Sequence, residues 1–174
     1  MDQPTRPYRI TVVCLGNICR SPIGEAVLRT RILEAGLSDR VEVDSAGTGD
    51  WHVGQGANPR SVAVLTAHGY PLAHTARQIT PEWFADIDLV LVMDEANYAD
   101  VQRLMARGAA TAEVRMMRSF DPTLGHLSEP HPDLAVPDPY YGGPEDFLEV
   151  LRMVEDSSGG VVAHAAAVLA SRSA

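Results

Sequence analysis

The chain has 174 residues, 45% of them hydrophobic, with 14 basic and 23 acidic side chains for a formal net charge of −9. That is apolar material for one buried core and too little length for two, so residues 1–174 are expected to form a single domain. The charge argues against a broad basic face for nucleic acid, no run of about 18 apolar residues is present to cross a membrane, and the opening MDQPTRPYRI lacks the layout of a signal peptide, so a cytoplasmic protein is expected.

The first predicted element is a strand at residues 8–14, YRITVVC. A short loop follows, and a helix begins near Ser21-Pro22, because proline suits a first helical turn. Ile23, Ala26, Val27, Thr30 and Leu33 form its inward face, and Gly36 stops it. A second strand covers residues 40–46, RVEVDSA. The next helix opens at Asn58-Pro59 and closes at Gly69, with Val62 and Leu65 inward. A third strand spans residues 88–94, DLVLVMD, and Asp94 caps a helix running through Val101, Leu104 and Met105 to Gly108.

A fourth strand is expected at residues 113–117, EVRMM. Residues 119–144 are too rich in proline for regular structure, and a loop of that length in a compact domain is usually functional or mobile. Within it Asp121 and Asp138 each precede a proline and look alike. The last helix starts after Gly143-Pro144, with Phe147, Leu151 and Val154 inward, and passes a break at SSGG (residues 157–160) into an alanine-rich tail. Strands alternating with helices predict an α/β fold, a single three-layer domain with a four-stranded parallel sheet and helices on both faces.

The chemistry concentrates where the first strand meets the first helix. Both cysteines of the chain, Cys14 and Cys19, lie in one loop that runs into Arg20. That spacing suits reduced thiols with a chemical task better than a stabilising disulfide, and no further cysteines exist for a zinc site. Residues 15–19 are enough to wrap peptide N–H groups around an anion, and the helix N-terminus adds donors and partial positive charge. Gly16 and Asn17 are the residue types that tolerate the left-handed backbone such a wrap requires. The same field favours the thiolate of Cys14, and the planar fork of Arg20 matches two oxygens of a phosphate. Attack of that thiolate on phosphorus would form a phosphocysteine.

The stretch VCLGNICRSPIGEAV resembles the phosphate-binding loop of the low-molecular-weight protein tyrosine phosphatases, whose pattern is V-C-x-G-N-x-C-R-S-P. DSAGTGDW, HTARQI, VMDEAN and DPYYGG resemble further segments of that family in the same order, and SAGTGDWHVG is most similar to actinobacterial members. The resemblance implies a protein-tyrosine phosphatase without cofactor or metal, acting on tyrosine-phosphorylated proteins, with no nucleic acid or membrane partner. It implies Cys14 as nucleophile, Arg20 as phosphate clamp and Asp138, rather than Asp121, as general acid. Leu15, Gly16, Asn17, Ile18, Cys19 and Ser21 would complete the phosphate-binding loop, with Ser21 supporting the thiolate. Ser45 and His74 would support the loop through Asn17. Trp51, Tyr140 and Tyr141 would line the mouth and stack on the phenyl ring. Cys19 would trap an oxidised Cys14 as a reversible disulfide.

Other readings share parts of this pattern. A phosphoarginine phosphatase has the same fold and loop, but tends to carry threonine where Ile18 stands. An arsenate reductase needs further cysteines after Cys19, and none follow. A phosphotyrosine-binding module without turnover would not need Cys14, Arg20 and Asp138 together. A nucleotide-binding loop would need glycine spacing and a lysine that CLGNICRS lacks.

Overall fold

Four strands, β1 (Tyr8–Cys14), β2 (Val41–Gly47), β3 (Leu89–Val92) and β4 (Glu113–Met116), pair in parallel in the order β2-β1-β3-β4. They belong to a computed structural model that describes residues 5–173; residues 1–4, which begin the stretch tested for a signal peptide, and residue 174 lie outside the described residues. Ile10, Val12 and Cys14 of β1 face the same side as Leu89 and Leu91 of β3, whereas Val13, Val90 and Val92 face the other. Both faces are covered, which is why β3 is apolar throughout and β1 ends in the continuous apolar run Val12, Val13 and Cys14 rather than alternating.

Helices α1 (Arg20–Glu34), α2 (Pro59–Ala67) and α4 (Pro144–Arg172) contribute to the core on the first face, and α3 (Glu95–Met105) to the core on the second. This is the three-layer α/β arrangement expected. The chain leaves β1 toward β2 on one side and later returns to place β3 on the other. The strand order therefore reverses at β1, and the carboxyl ends of β1 and β3 open the crevice where ligands bind in such sheets.

Several local expectations need correction. The first helix starts at Arg20, and its last turn buries Ile32 while Leu33 stays 66% exposed. In α2 the inward pair is Ser61 and Leu65, because the Ser61 hydroxyl donates to the Cys19 carbonyl, and Val62 turns out to solvent. No break occurs at SSGG, since α4 is continuous over 29 residues. Ser157 and Ser158 donate to carbonyls of the same helix, and a Cβ on Gly160 would lie 2.2 Å from the Phe120 carbonyl oxygen. That glycine marks a close approach, not a helix end.

The segment between β4 and α4 is tied down by 3-10 turns at Met117–Phe120, Pro122–Leu124 and Pro132–Leu134, and Leu134 and Val136 are fully buried. Asp121 accepts from the N–H and hydroxyl of Thr123, a turn-stabilising role. A 3-10 helix at Pro81–Asp86, unread in the sequence, precedes β3. No helix among the described residues is long and apolar enough to cross a membrane.

Candidate active site

The loop between β1 and α1 spends its carbonyl groups outward. Cys14 O accepts from Thr48 N–H, Leu15 O from Gly49 N–H, Ile18 O from Asn58 N–H, and Cys19 O from the Ser61 hydroxyl. Asn17 O lies 2.6 Å from His74 Nε2, and since a carbonyl only accepts, that nitrogen carries a proton. Each trans peptide sets its N–H opposite its carbonyl, so the N–H groups of Leu15, Gly16, Ile18, Cys19 and Arg20 turn to the inside of the loop. Such a ring of donors is an anion cradle.

Of Gly16 and Asn17, Asn17 alone takes the left-handed backbone, with φ of 57°. Gly16 does not need it and serves by its size, because a Cβ there would stand 3.0 Å from His52 Cδ2. Gly47, at the end of β2 beside Cys14, is constrained more tightly, for a Cβ would be 2.7 Å from the Leu15 carbonyl oxygen.

Below the loop the polar groups form a directed chain. The Asn17 amide donates to Ser21 Oγ at 2.8 Å and to Ser45 Oγ at 2.9 Å, and its oxygen accepts from the Arg77 N–H. The Ser45 hydroxyl in turn donates to Glu25 Oε1 at 2.9 Å. Ser21 Oγ, already an acceptor, is left to donate to Cys14 Sγ at 3.0 Å, and the Asn17 N–H donates to the same sulfur at 3.3 Å. Two donors thus converge on the sulfur.

Arg20 is almost wholly buried at the start of α1. Its Nη1 donates to Asp94 Oδ2 at 2.6 Å and to the Val136 carbonyl at 3.1 Å, and its Nη2 lies 3.7 Å from Asp138 Oδ2. Burial opposes its charge, but Cys14, Asp94 and Asp138 outweigh that and raise its pKa above the ordinary value. Asp138 is half exposed and accepts from the Tyr140 N–H at 3.1 Å. Arg60 of α2 holds the same loop by donating to the Tyr140 and Gly142 carbonyls and lies over the Phe147 ring.

A cavity of about 380 Å³ opens above Cys14. Leu15, Gly16, Ile18, Cys19 and Arg20 form its base, and Trp51, His52, Asp138, Tyr140 and Tyr141 its rim. Tyr140 and Tyr141 meet edge to face with centroids 4.8 Å apart. Cys19 is buried, and desolvation first, then Cys14 and Asp138, pushes its thiol from about 9 up to about 12. It is a neutral thiol, whereas the equally buried Cys14 sulfur is the one that receives the Ser21 hydroxyl and the Asn17 N–H.

Four contributors were missed in the sequence. The sequence marks Asp94 only as a helix cap, which it is, but it also anchors Arg20. Glu25, Arg60 and His52 carry no local signal, since their partners lie far along the chain or, for His52, in the rim itself.

Comparison with known proteins agrees with this geometry. The family described as "Low molecular weight phosphotyrosine protein phosphatase" matches residues 9–171. A low molecular weight protein-tyrosine-phosphatase of Streptomyces coelicolor, an actinobacterium, is 51% identical over 156 residues, covering 90% of this chain and 92% of its own. A protein tyrosine phosphatase from Entamoeba histolytica superposes with a TM-score of 0.77 at 31% identity, covering 89% and 94% of the two chains. A Drosophila arginine phosphatase superposes with a TM-score of 0.80 at 28% identity, covering 90% and 96%.

Proposed function

The chain belongs to the low molecular weight phosphotyrosine protein phosphatase family, and we propose that Cys14, Arg20 and Asp138 perform its reaction, the hydrolysis of phosphotyrosine monoesters in proteins through a phosphocysteine. The observation that carries this reading is the convergence of a doubly hydrogen-bonded sulfur, an inward ring of N–H donors, a buried arginine and a half-exposed aspartate on one aromatic-walled cavity.

The phosphate of the substrate enters the loop, and the Arg20 fork and the N–H groups bear its charge. Those donors are already in place, so they stabilise the charge that builds on the equatorial oxygens without reorganising. Cys14 Sγ attacks phosphorus as the phenolic oxygen leaves. That oxygen belongs to a phenol with a pKa of about 10, so its departure is slow unless protonated, and Asp138 beside Arg20 supplies the proton. In the second step Asp138 takes a proton from water, the water oxygen attacks phosphorus, and Cys14 leaves as a thiolate supported by the Ser21 hydroxyl and the Asn17 N–H.

Trp51, Tyr140 and Tyr141 provide ring faces for the tyrosyl group, and apolar Ile18 in the cavity base suits an aromatic ring better than a guanidinium. Cys19 is assigned the redox role. Peroxide oxidises the Cys14 thiolate to a sulfenic acid, and the Cys19 sulfur displaces its oxygen as water to close a disulfide that reductant reopens. Both thiols are free in the structure, which suits a reducing compartment such as the cytoplasm.

The test is phosphate release from matched phosphotyrosyl and phosphoarginyl peptides, in EDTA and reductant, with Cys14→Ser and Asp138→Asn alongside. Expected are Cys14-dependent turnover of phosphotyrosine and a fall of about 100-fold or more for Asp138→Asn. Preference for phosphoarginine would keep the mechanism and overturn the substrate. Turnover unaffected by Cys14→Ser would overturn the mechanism.

A further inference from the structure

A second cavity, of about 430 Å³, shares a wall with the first. Leu15 and Trp51 line both, and Thr48, Gly49, Asp100, Arg103, Leu104 and Arg107 complete the second. Its character differs from the rest of this acidic protein. Arg103 lies on the last turn of α3, and Arg107 follows four residues later on the same side, where the turn is continued by the Arg107 N–H to the Leu104 carbonyl.

The two arginines are not equivalent. Arg103 pairs with Asp100, whereas Arg107 forms no ion pair among the described residues. Its charge reaches Glu82 only as a minor influence behind the hydrogen bonds that lower that carboxyl, and Glu82 is not part of this cavity. Thr48 Oγ1 is buried in the protein surface at the same place and has no hydrogen-bond partner among the described residues. A buried hydroxyl without a partner is uncommon, because forgoing the bond is costly. One wall is apolar, one arginine is free, and one hydroxyl is unsatisfied.

We propose that this cavity is a subsite for an acidic side chain of the substrate polypeptide, close in sequence to the phosphotyrosine held in the neighbouring cavity. The inference rests on the phosphotyrosine reading of the Cys14 site. Trp51 would then stand between the two groups, with the phosphotyrosine ring on one side and the aliphatic stem of a glutamate or aspartate on the other. The carboxylate meets the guanidinium fork of Arg107, and the Thr48 hydroxyl, covered in the adjoining wall, gains a partner once its side chain turns toward that carboxylate. An acidic enzyme repels acidic substrates at long range, so a local cation beside the catalytic cavity decides which of them dock.

The experiment compares kcat/KM for phosphotyrosyl peptides that differ only by glutamate or glutamine at each position flanking the phosphotyrosine. Para-nitrophenyl phosphate, too small to reach the second cavity, serves as the internal reference. For the parent, glutamate at one flank is expected to raise kcat/KM about fivefold through KM, an advantage that shrinks with added salt. Arg107→Gln should abolish the advantage while leaving turnover of para-nitrophenyl phosphate unchanged, and Arg107→Glu should transfer it to lysine-flanked peptides. Equal rates for all peptides with the parent, or an advantage that survives Arg107→Gln, would overturn the subsite. Loss of para-nitrophenyl phosphate turnover in the parent itself would instead overturn the phosphatase reading on which it rests.

Discussion

Arg20 and Asp94 are joined by a 2.6 Å hydrogen bond across 74 residues of sequence, and the other oxygen of the same carboxylate accepts from the Asn97 N–H at 2.8 Å. One side chain therefore caps α3 and fixes the guanidinium of Arg20, the proposed phosphate clamp. The two tasks separate on substitution, because asparagine caps a helix as well as aspartate but carries no charge. Asp94→Asn is expected to lower kcat/KM about tenfold with unfolding free energy changed by less than about 1 kcal/mol. Asp94→Ala also loses the cap and is expected to cost about 2 kcal/mol of stability. Aryl phosphate kinetics and urea midpoints on both variants check this, and the dual role is wrong if asparagine and alanine behave alike in both assays.

Ser21 stands at the end of the proton-donating chain from Asn17, so its hydroxyl has only the Cys14 sulfur to serve. The benefit is largest when sulfur departs from phosphorus with its electron pair. Ser21→Ala is expected to slow breakdown of the phosphocysteine about tenfold or more while the first step changes less. Rapid mixing with para-nitrophenyl phosphate should then show a burst of nitrophenol larger than the parent's. A variant slowed equally in both steps would remove Ser21 from that role.

The β1–loop–α1 unit was legible because its signal is local: an apolar strand, two cysteines, an arginine and a proline at helix-start spacing. Ser45 and His74 came only through family resemblance, as their partner Asn17 is 28 and 57 residues distant. Asp94 was half legible, since a cap is a local property and an ion pair to Arg20 is not. Leu33 and Val62 were misplaced for a related reason. Helical periodicity gives a face but not the neighbour it meets, and in α2 the neighbour is the Cys19 carbonyl, which selects Ser61. The SSGG stretch looked like a break because serine and glycine are poor helix formers, yet packing against Phe120 overrides propensity there.

That last point separates two adjacent glycines. Gly160 sits where a methyl group would meet the Phe120 carbonyl oxygen at 2.2 Å, and Gly159 has open space around its Cβ position. Gly160→Ala is expected to destabilise the protein by about 2 kcal/mol or more, since backbone rather than a flexible side chain must yield. Gly159→Ala should stabilise it by about 0.5 kcal/mol or more through helix propensity and a less flexible unfolded chain. Urea denaturation of the pair reads both signs, and two variants shifted in the same direction would contradict the packing assigned to Gly160.

Cys19 makes the stability of the protein sensitive to alkali. Burial pushes its thiol from about 9 in the unfolded chain up to about 12, and burial likewise pushes the phenols of Tyr8 and Tyr70 from 10 up to about 12. In each case the fold favours the protonated form. Their contribution is therefore complete below the unfolded value and declines as pH rises through the interval up to the folded one. Urea midpoints should hold level to about pH 9, fall from there by the Cys19 contribution, and steepen above about pH 10 when the tyrosines join. Cys19→Ser carries no thiol to titrate, so its midpoint should stay level to about pH 10 and then fall with the tyrosines alone. If parent and Cys19→Ser decline together from about pH 9, the alkaline sensitivity has another source and the buried thiol does not oppose ionisation.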